Sequence, residues 1–181
     1  MREMTLYHAT DESIAKKILQ DKFIVKKNTE HWLGNGIYFY RDISLANWWK
    51  TRPSSKYSCN MPNPVIVQVE IQVDESKVLD LGLLEDYQQC IQEFQVFYEK
   101  FYVVYFDGQT NSIEAMRSAF FDYLFLSKDI QMIIGNFYLP NQPYISQHAN
   151  DQFKQFNLEY FEEQVCIAKD KQDIIISKKI I

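Results

Sequence analysis

The stretch that most constrains this chain is Val65 to Val73, VIVQVEIQV, in which apolar and polar residues alternate. A period of two puts every apolar side chain on one face of a strand. A chain carrying it must bury one face of a sheet, which excludes an all-helical bundle. Shorter runs of the same kind predict further strands at Thr5–His8, Ile37–Tyr40, Glu163–Ile167 and Ile174–Ile176. Edges are expected at Phe23–Val25 and Val78–Leu81. Between them the period changes. Thr10 or Asp11 can cap a short helix whose Ile14, Ile18 and Leu19 face one way. Leu83 to Phe101 suits a helix, with Tyr87, Ile91, Phe94, Phe97, Tyr98 and Phe101 near a 3.6-residue spacing, and this aromatic stripe reads as core packing. Asn111 or Ser112 can start a second helix carrying Ile113, Met116, Phe120, Tyr123 and Leu124, and Lys128–Phe137 is expected to form a third. Lys26–Trp32, Thr51–Pro64 and Pro140–Asn150 read as loops. These elements describe one α+β domain with an α-helical insertion at residues 83–145.

Composition removes several classes of function. A chain of 181 residues can bury a real core as a single domain. No apolar run reaches the ~18 residues of a membrane span. Met1-Arg2-Glu3-Met4 enters a strand with no signal-peptide apolar region, so the expected setting is cytoplasmic. Three cysteines (Cys59, Cys90, Cys166) and three histidines (His8, His31, His148) are scattered, without disulfide or metal-ligand spacing. The net charge of −5 argues against a broad nucleic-acid groove, which needs an excess of Lys and Arg. Lys16-Lys17, Lys22 and Lys26-Lys27 read as a solvated face.

Leu33 to Trp49, LGNGIYFYRDISLANWW, is the densest local signal. Gly34-Asn35-Gly36 marks a tight turn, Ile37–Tyr40 follows as a strand, and Asp42 can cap a short helix ending in Trp48-Trp49. The turn lacks a third glycine and leads into a strand, so it is not a dinucleotide fingerprint. Upstream lies Leu6-Tyr7-His8-Ala9-Thr10. LYHAT, a short helix, LGNGIYF and then PVIVQVEI, in that order, resemble the core of the ADP-ribosyltransferases of the diphtheria-toxin and poly(ADP-ribose) polymerase type. The resemblance covers roughly residues 5–80 and again 158–181.

The resemblance implies a split mixed and antiparallel sheet flanked by helices, NAD as co-substrate, no metal, and a histidine–tyrosine–acid (or glutamine) signature on three strands. By it, His8 bonds the ribose hydroxyls of the adenosine half, and the peptide groups of Ala9 clamp the nicotinamide amide with Thr10 nearby. Tyr38 stacks on the nicotinamide ring, with Trp48 or Trp49 on its other face. Ser44 loosely replaces a serine that binds the amide in relatives. Glu163 or Gln164 is the third signature residue. Strand alternation turns only one of the two inward, and the difference matters chemically. Leaving-group loss builds positive charge on the ribose. A carboxylate ~4 Å away is worth about 4 kcal/mol at an effective dielectric near 20, against about 0.5–1.5 kcal/mol for a neutral hydrogen bond. Glu163 is therefore the stronger candidate for chemistry, with Glu162 read as solvated and Tyr40 as core or rim. The implied activity is mono-ADP-ribosyl transfer to a protein, RNA or DNA, in the setting of a toxin or anti-phage effector that a protein partner neutralises. The alternatives are an NAD glycohydrolase on the same fold and a catalytically silent NAD-binding or interaction module.

Overall fold

The computed structural model describes residues 1–27, 31–51, 61–106, 113–138 and 161–181. Its strands and helices run β1 (Arg2–Asp11), α1 (Glu12–Gln20), β2 (Gly36–Tyr40), α2 (Ile43–Thr51), β3 (Pro64–Val73), β4 (Val78–Asp80), α3 (Leu84–Phe106), α4 (Ile113–Ser127), β5 (Met132–Tyr138), β6 (Phe161–Ala168) and β7 (Ile175–Ile180). The strands form one sheet in the order β4-β5-β6-β2-β1-β3-β7. Among the described residues only β4 and β5 pair in parallel, so this is an α+β fold on a mixed sheet.

Local chemistry sets the element ends. The Asp11 carboxylate accepts from the Ser13 N–H and caps α1, and it also accepts from the Asn63 N–H, tying the end of β1 to the start of β3. Asp42 caps α2 by accepting from the Ser44 N–H at 2.7 Å. On the exposed side of α1, Lys16 pairs with Glu12.

The sheet is two ladders joined at one place. β1 lies against β3 along its whole length, from Arg2 opposite Val73 to Asp11 opposite Pro64. Against β2 it has a single register pair, Tyr7 opposite Tyr40. β2 belongs to the other ladder, paired with β6 from Gly36 opposite Ala168 to Tyr40 opposite Gln164.

Side-chain alternation divides the core by face. Leu6, Ile37, Phe39, Val67, Val165 and Ile167 occupy one face under α1, with Phe23 and Ile174 closing the layer. The opposite face carries two patches. Tyr40 and Ile66 pack beneath Leu45 and Ala46 of α2. Leu33, Ile133 and Cys166 pack beneath α3 and α4 through Cys90, Phe97, Phe120, Phe121 and Leu124.

Several expectations are corrected. Lys128–Phe137 is not a helix. Met132-Ile133-Ile134 is fully buried inside the sheet as β5, where three consecutive apolar residues serve both faces. The insertion is therefore helical only through α3 and α4, after which the chain re-enters the sheet. Phe23–Val25 joins no ladder. Phe23 is held by the Gln172 side chain, which accepts from its N–H and donates to its carbonyl, while Ile24 is exposed. Of α1, Ala15 and Ile18 are buried whereas Ile14 and Leu19 are exposed. The α3 stripe also divides: Phe97 is buried, Phe94 and Phe101 pack against the core, and Tyr87, Ile91 and Tyr98 stay exposed. The expected caps Asn111 and Ser112, the loop at Pro140–Asn150, and residues 28–30 and 52–60 of the two earlier loops lie outside the described residues.

Candidate functional site

The place where β1 parts from β2 gathers most of the residues of interest. Past Tyr7 the ladder ends, and the His8 side chain takes over. Its Nδ1 lies 2.8 Å from the Tyr38 carbonyl oxygen. A carbonyl can only accept, so the imidazole carries its proton on Nδ1 and presents Nε2 as an acceptor. Its ring packs edge-on against Phe23 and Phe39. Burial pushes the His8 imidazole below its ordinary range, partly offset by the bond to Tyr38. Native His8 therefore stays neutral at pH values where the unfolded chain already binds a proton. Stability is expected to be complete above about pH 6.5 and to fall as pH drops from there toward the native value. His31, lowered by the same cause, adds to that slope. Denaturation midpoints between pH 7.5 and 5 should decline in the wild type and decline less in His8→Gln.

Register settles which expected residues share a face, because antiparallel partners point the same way. Tyr40 opposes both Tyr7 and Gln164, and Tyr38 opposes Cys166. Tyr7, Ala9, Tyr38, Tyr40 and Gln164 thus lie on the face beneath α2 and α4. His8, Thr10, Phe39 and Glu163 lie on the other. The expected single cleft with His8 and Tyr38 as its walls is corrected: the two side chains leave the sheet on opposite sides.

Tyr38 is also not a free stacking platform. Its hydroxyl accepts from the Leu33 N–H at 2.7 Å and donates to the Gly34 carbonyl at 2.8 Å. Desolvation drives its phenol far above the ordinary range, so it stays a neutral pin for the LGNG turn. The turn is fixed further by Asp122 of α4, whose two oxygens accept from the Asn35 N–H and side-chain amide. Gly34 has φ of +81°, and an added Cβ would meet Asp122 Oδ1 at 2.8 Å.

Glu163 and Gln164, the two residues weighed for the third position, fall on opposite faces. Glu163 lies on the His8 face and pairs with Arg41 at 3.1 Å. Gln164 shares the Tyr40 face and donates from Nε2 to Glu162 at 2.7 Å. Glu162 is not solvated; it is 1% exposed. The signal for it was available, since residues 162, 164 and 166 share a parity and Cys166 is apolar. Of the tryptophans, Trp49 packs against the Tyr7–Tyr40 patch, while Trp48 is buried elsewhere in α2. Ser44 is exposed, and its N–H serves the Asp42 cap. The patch on this face is thus a row, Tyr7–Tyr40–Gln164, crossing three strands, with Trp49 to one side and Glu162 behind Gln164. Tyr7 was not anticipated as part of it.

Among the described residues no group of His, Cys, Asp or Glu could hold a metal ion, and no helix is long and apolar enough to cross a membrane.

No family model and no solved structure matches the chain. An uncharacterized protein of Methanocaldococcus jannaschii is similar to it, 37% identical over 83 residues. That stretch covers 45% of this chain and 39% of the archaeal protein, so the match spans well under half of that relative's length.

Proposed function

We propose that the chain binds NAD where β1 and β2 part and transfers its ADP-ribose, one unit per site, to a macromolecular acceptor. The observation that carries the reading is that parting: the two strands bearing LYHAT and GIYFY meet at one residue pair and then diverge. Main-chain groups of Ala9 beyond the ladder are the donors and acceptors that a nicotinamide amide needs. The neutral His8, whose side chain leaves the sheet on the face opposite Gln164, positions the parting through its bond to the Tyr38 carbonyl. Tyr40, Trp49 and Gln164 replace Tyr38 and Glu163 in the roles nearest the reacting ribose.

In the reaction the nicotinamide–ribose bond breaks and its electron pair passes to the nicotinamide ring. A nucleophilic atom of the acceptor bonds to the anomeric carbon and gives up its proton to water. The Gln164 amide donates to the buried Glu162 side chain, which orients the amide and leaves Oε1 as an acceptor for the developing positive charge. Its contribution is that of a hydrogen bond, about 0.5–1.5 kcal/mol, so slow turnover is expected. With labelled NAD and cell lysate, Gln164→Ala should cut product at least tenfold, whereas Glu163→Gln should stay within twofold of wild type. Equal and mild losses from both variants would remove the assignment. The expected setting is cytoplasmic, as an effector held in check by a protein partner.

A second reading, an NAD-binding module without turnover, is favoured by one fact: the residue on the Tyr40 face is the neutral Gln164 rather than Glu163. Thermal stabilisation by NAD with no labelled acceptor and no free ADP-ribose would decide for it.

A further inference from the structure

The seam between the LGNG turn and α4 holds three buried polar atoms with no hydrogen-bond partner: His31 Nδ1, Arg117 Nε and Ser118 Oγ. Buried polar groups are ordinarily paired, and an orphan costs its full desolvation. Three along one seam call for an explanation, and the packing sets Arg117 and Ser118 beside the turn. Gly34 and Asn35 rest on Phe121 and Asp122, one helical turn beyond Arg117 and Ser118 on α4. The Arg117 guanidinium lies 5.9 Å from the ring centre of Trp32, next in sequence to His31. His31 in turn packs its ring against Tyr38, the residue that pins the turn.

Of the orphans, the Arg117 Nε–H can only donate and the Ser118 hydroxyl can donate or accept; the neutral His31 ring has one N–H, which the Gly34 carbonyl attracts. Arg117 is a part-buried cation with no carboxylate partner among the described residues, in a chain that carries more acids than bases. Asp122, the acid on this helix face, already uses both oxygens on Asn35. Ser118 is 1% exposed, so bulk water does not satisfy it. A group made only of acceptors and carrying negative charge would meet the needs of Arg117 and Ser118 at once.

We infer that the seam between the turn at residues 31–36 and the Arg117–Ser118 segment of α4 binds a phosphate group. Arg117 supplies charge and a donor, and Ser118 a buried hydroxyl. The inference stands independently of NAD turnover, because its readout is binding. A phosphate can come from NAD, from a mononucleotide or from a nucleic-acid backbone, and the seam recognises what these share.

The test is thermal unfolding of the full chain at fixed ionic strength, titrated with inorganic phosphate, adenosine monophosphate, NAD or oligothymidylate against sodium chloride. At least one phosphate compound should raise the midpoint in proportion to the logarithm of its concentration. Arg117→Met should weaken that compound's apparent affinity at least tenfold, and the compound so affected identifies the source. Ser118→Ala should leave the unliganded midpoint unchanged or higher, because it removes an orphaned hydroxyl, and should weaken the phosphate response severalfold. If Arg117→Met does not fold, Ser118→Ala carries the test alone. No stabilisation of the wild type beyond chloride, or a response unchanged in the folded variants, would overturn the assignment.

Discussion

Gly36→Ala is expected to destabilise the protein by about 3 kcal/mol or more, the upper range for forcing atoms into a packed interior. Gly36 opposes Ala168 at the start of the β2–β6 ladder. An added Cβ would meet the Ile167 carbonyl oxygen at 2.5 Å and would collide with Cys166 Sγ as well. Neither neighbour can yield cheaply. One is backbone in the middle of the sheet, and the other is a fully buried thiol beside Tyr38. For a domain of this size the thermal midpoint should drop by roughly 6–12 °C. Chemical denaturation of wild type and variant measures the difference. Adding Cys166→Ala should recover only part of it, since the carbonyl contact remains. A loss under 1 kcal/mol would mean that the strands lie farther apart than described.

Tyr38→Phe should cost about 2–3 kcal/mol although it removes one oxygen atom. That oxygen satisfies two main-chain groups of the turn, the Leu33 N–H and the Gly34 carbonyl, and Leu33 is fully buried. Deleting it leaves both without their protein partner, at about 1–3 kcal/mol for each group that stays unsatisfied. Tyr38→Ala also empties the ring's site and should cost about 3–5 kcal/mol. Because its hydroxyl is pinned in the turn, NAD turnover per folded molecule should change little in Tyr38→Phe. A variant that folds with wild-type stability but loses turnover would return Tyr38 to the site and overturn its role as a pin.

Much of the fold was legible because its signals are local. Alternation at Val65–Val73 and capping at Asp11 and Asp42 each depend on neighbours within a few residues. β5 was misread because Met132-Ile133-Ile134 has no period, and a run buried on both faces gives no pattern to distinguish strand from helix. The site was legible as a set of segments and not as a set of orientations. His8 and Tyr38 come together, but through an imidazole and a carbonyl; the sheet turns their side chains apart. That depends on the register of β1 against β2, which one pair sets and no local pattern encodes. The parity of Gln164 with Cys166 was readable. Its alignment with Tyr40 was not, since it needs the β2–β6 pairing. Arg117 and Ser118 gave no signal at all, because being orphaned is a property of the folded neighbourhood.

The single Tyr7–Tyr40 junction has a mechanical consequence. Long ladders resist shear and peeling because many bonds must yield together, whereas between these two half-sheets the backbone contributes one pair and the join rests on side chains packed across it. The imidazole of His8 spans the opening through its bond to the Tyr38 carbonyl. A guest entering there meets that imidazole and leaves the woven backbone of both half-sheets intact.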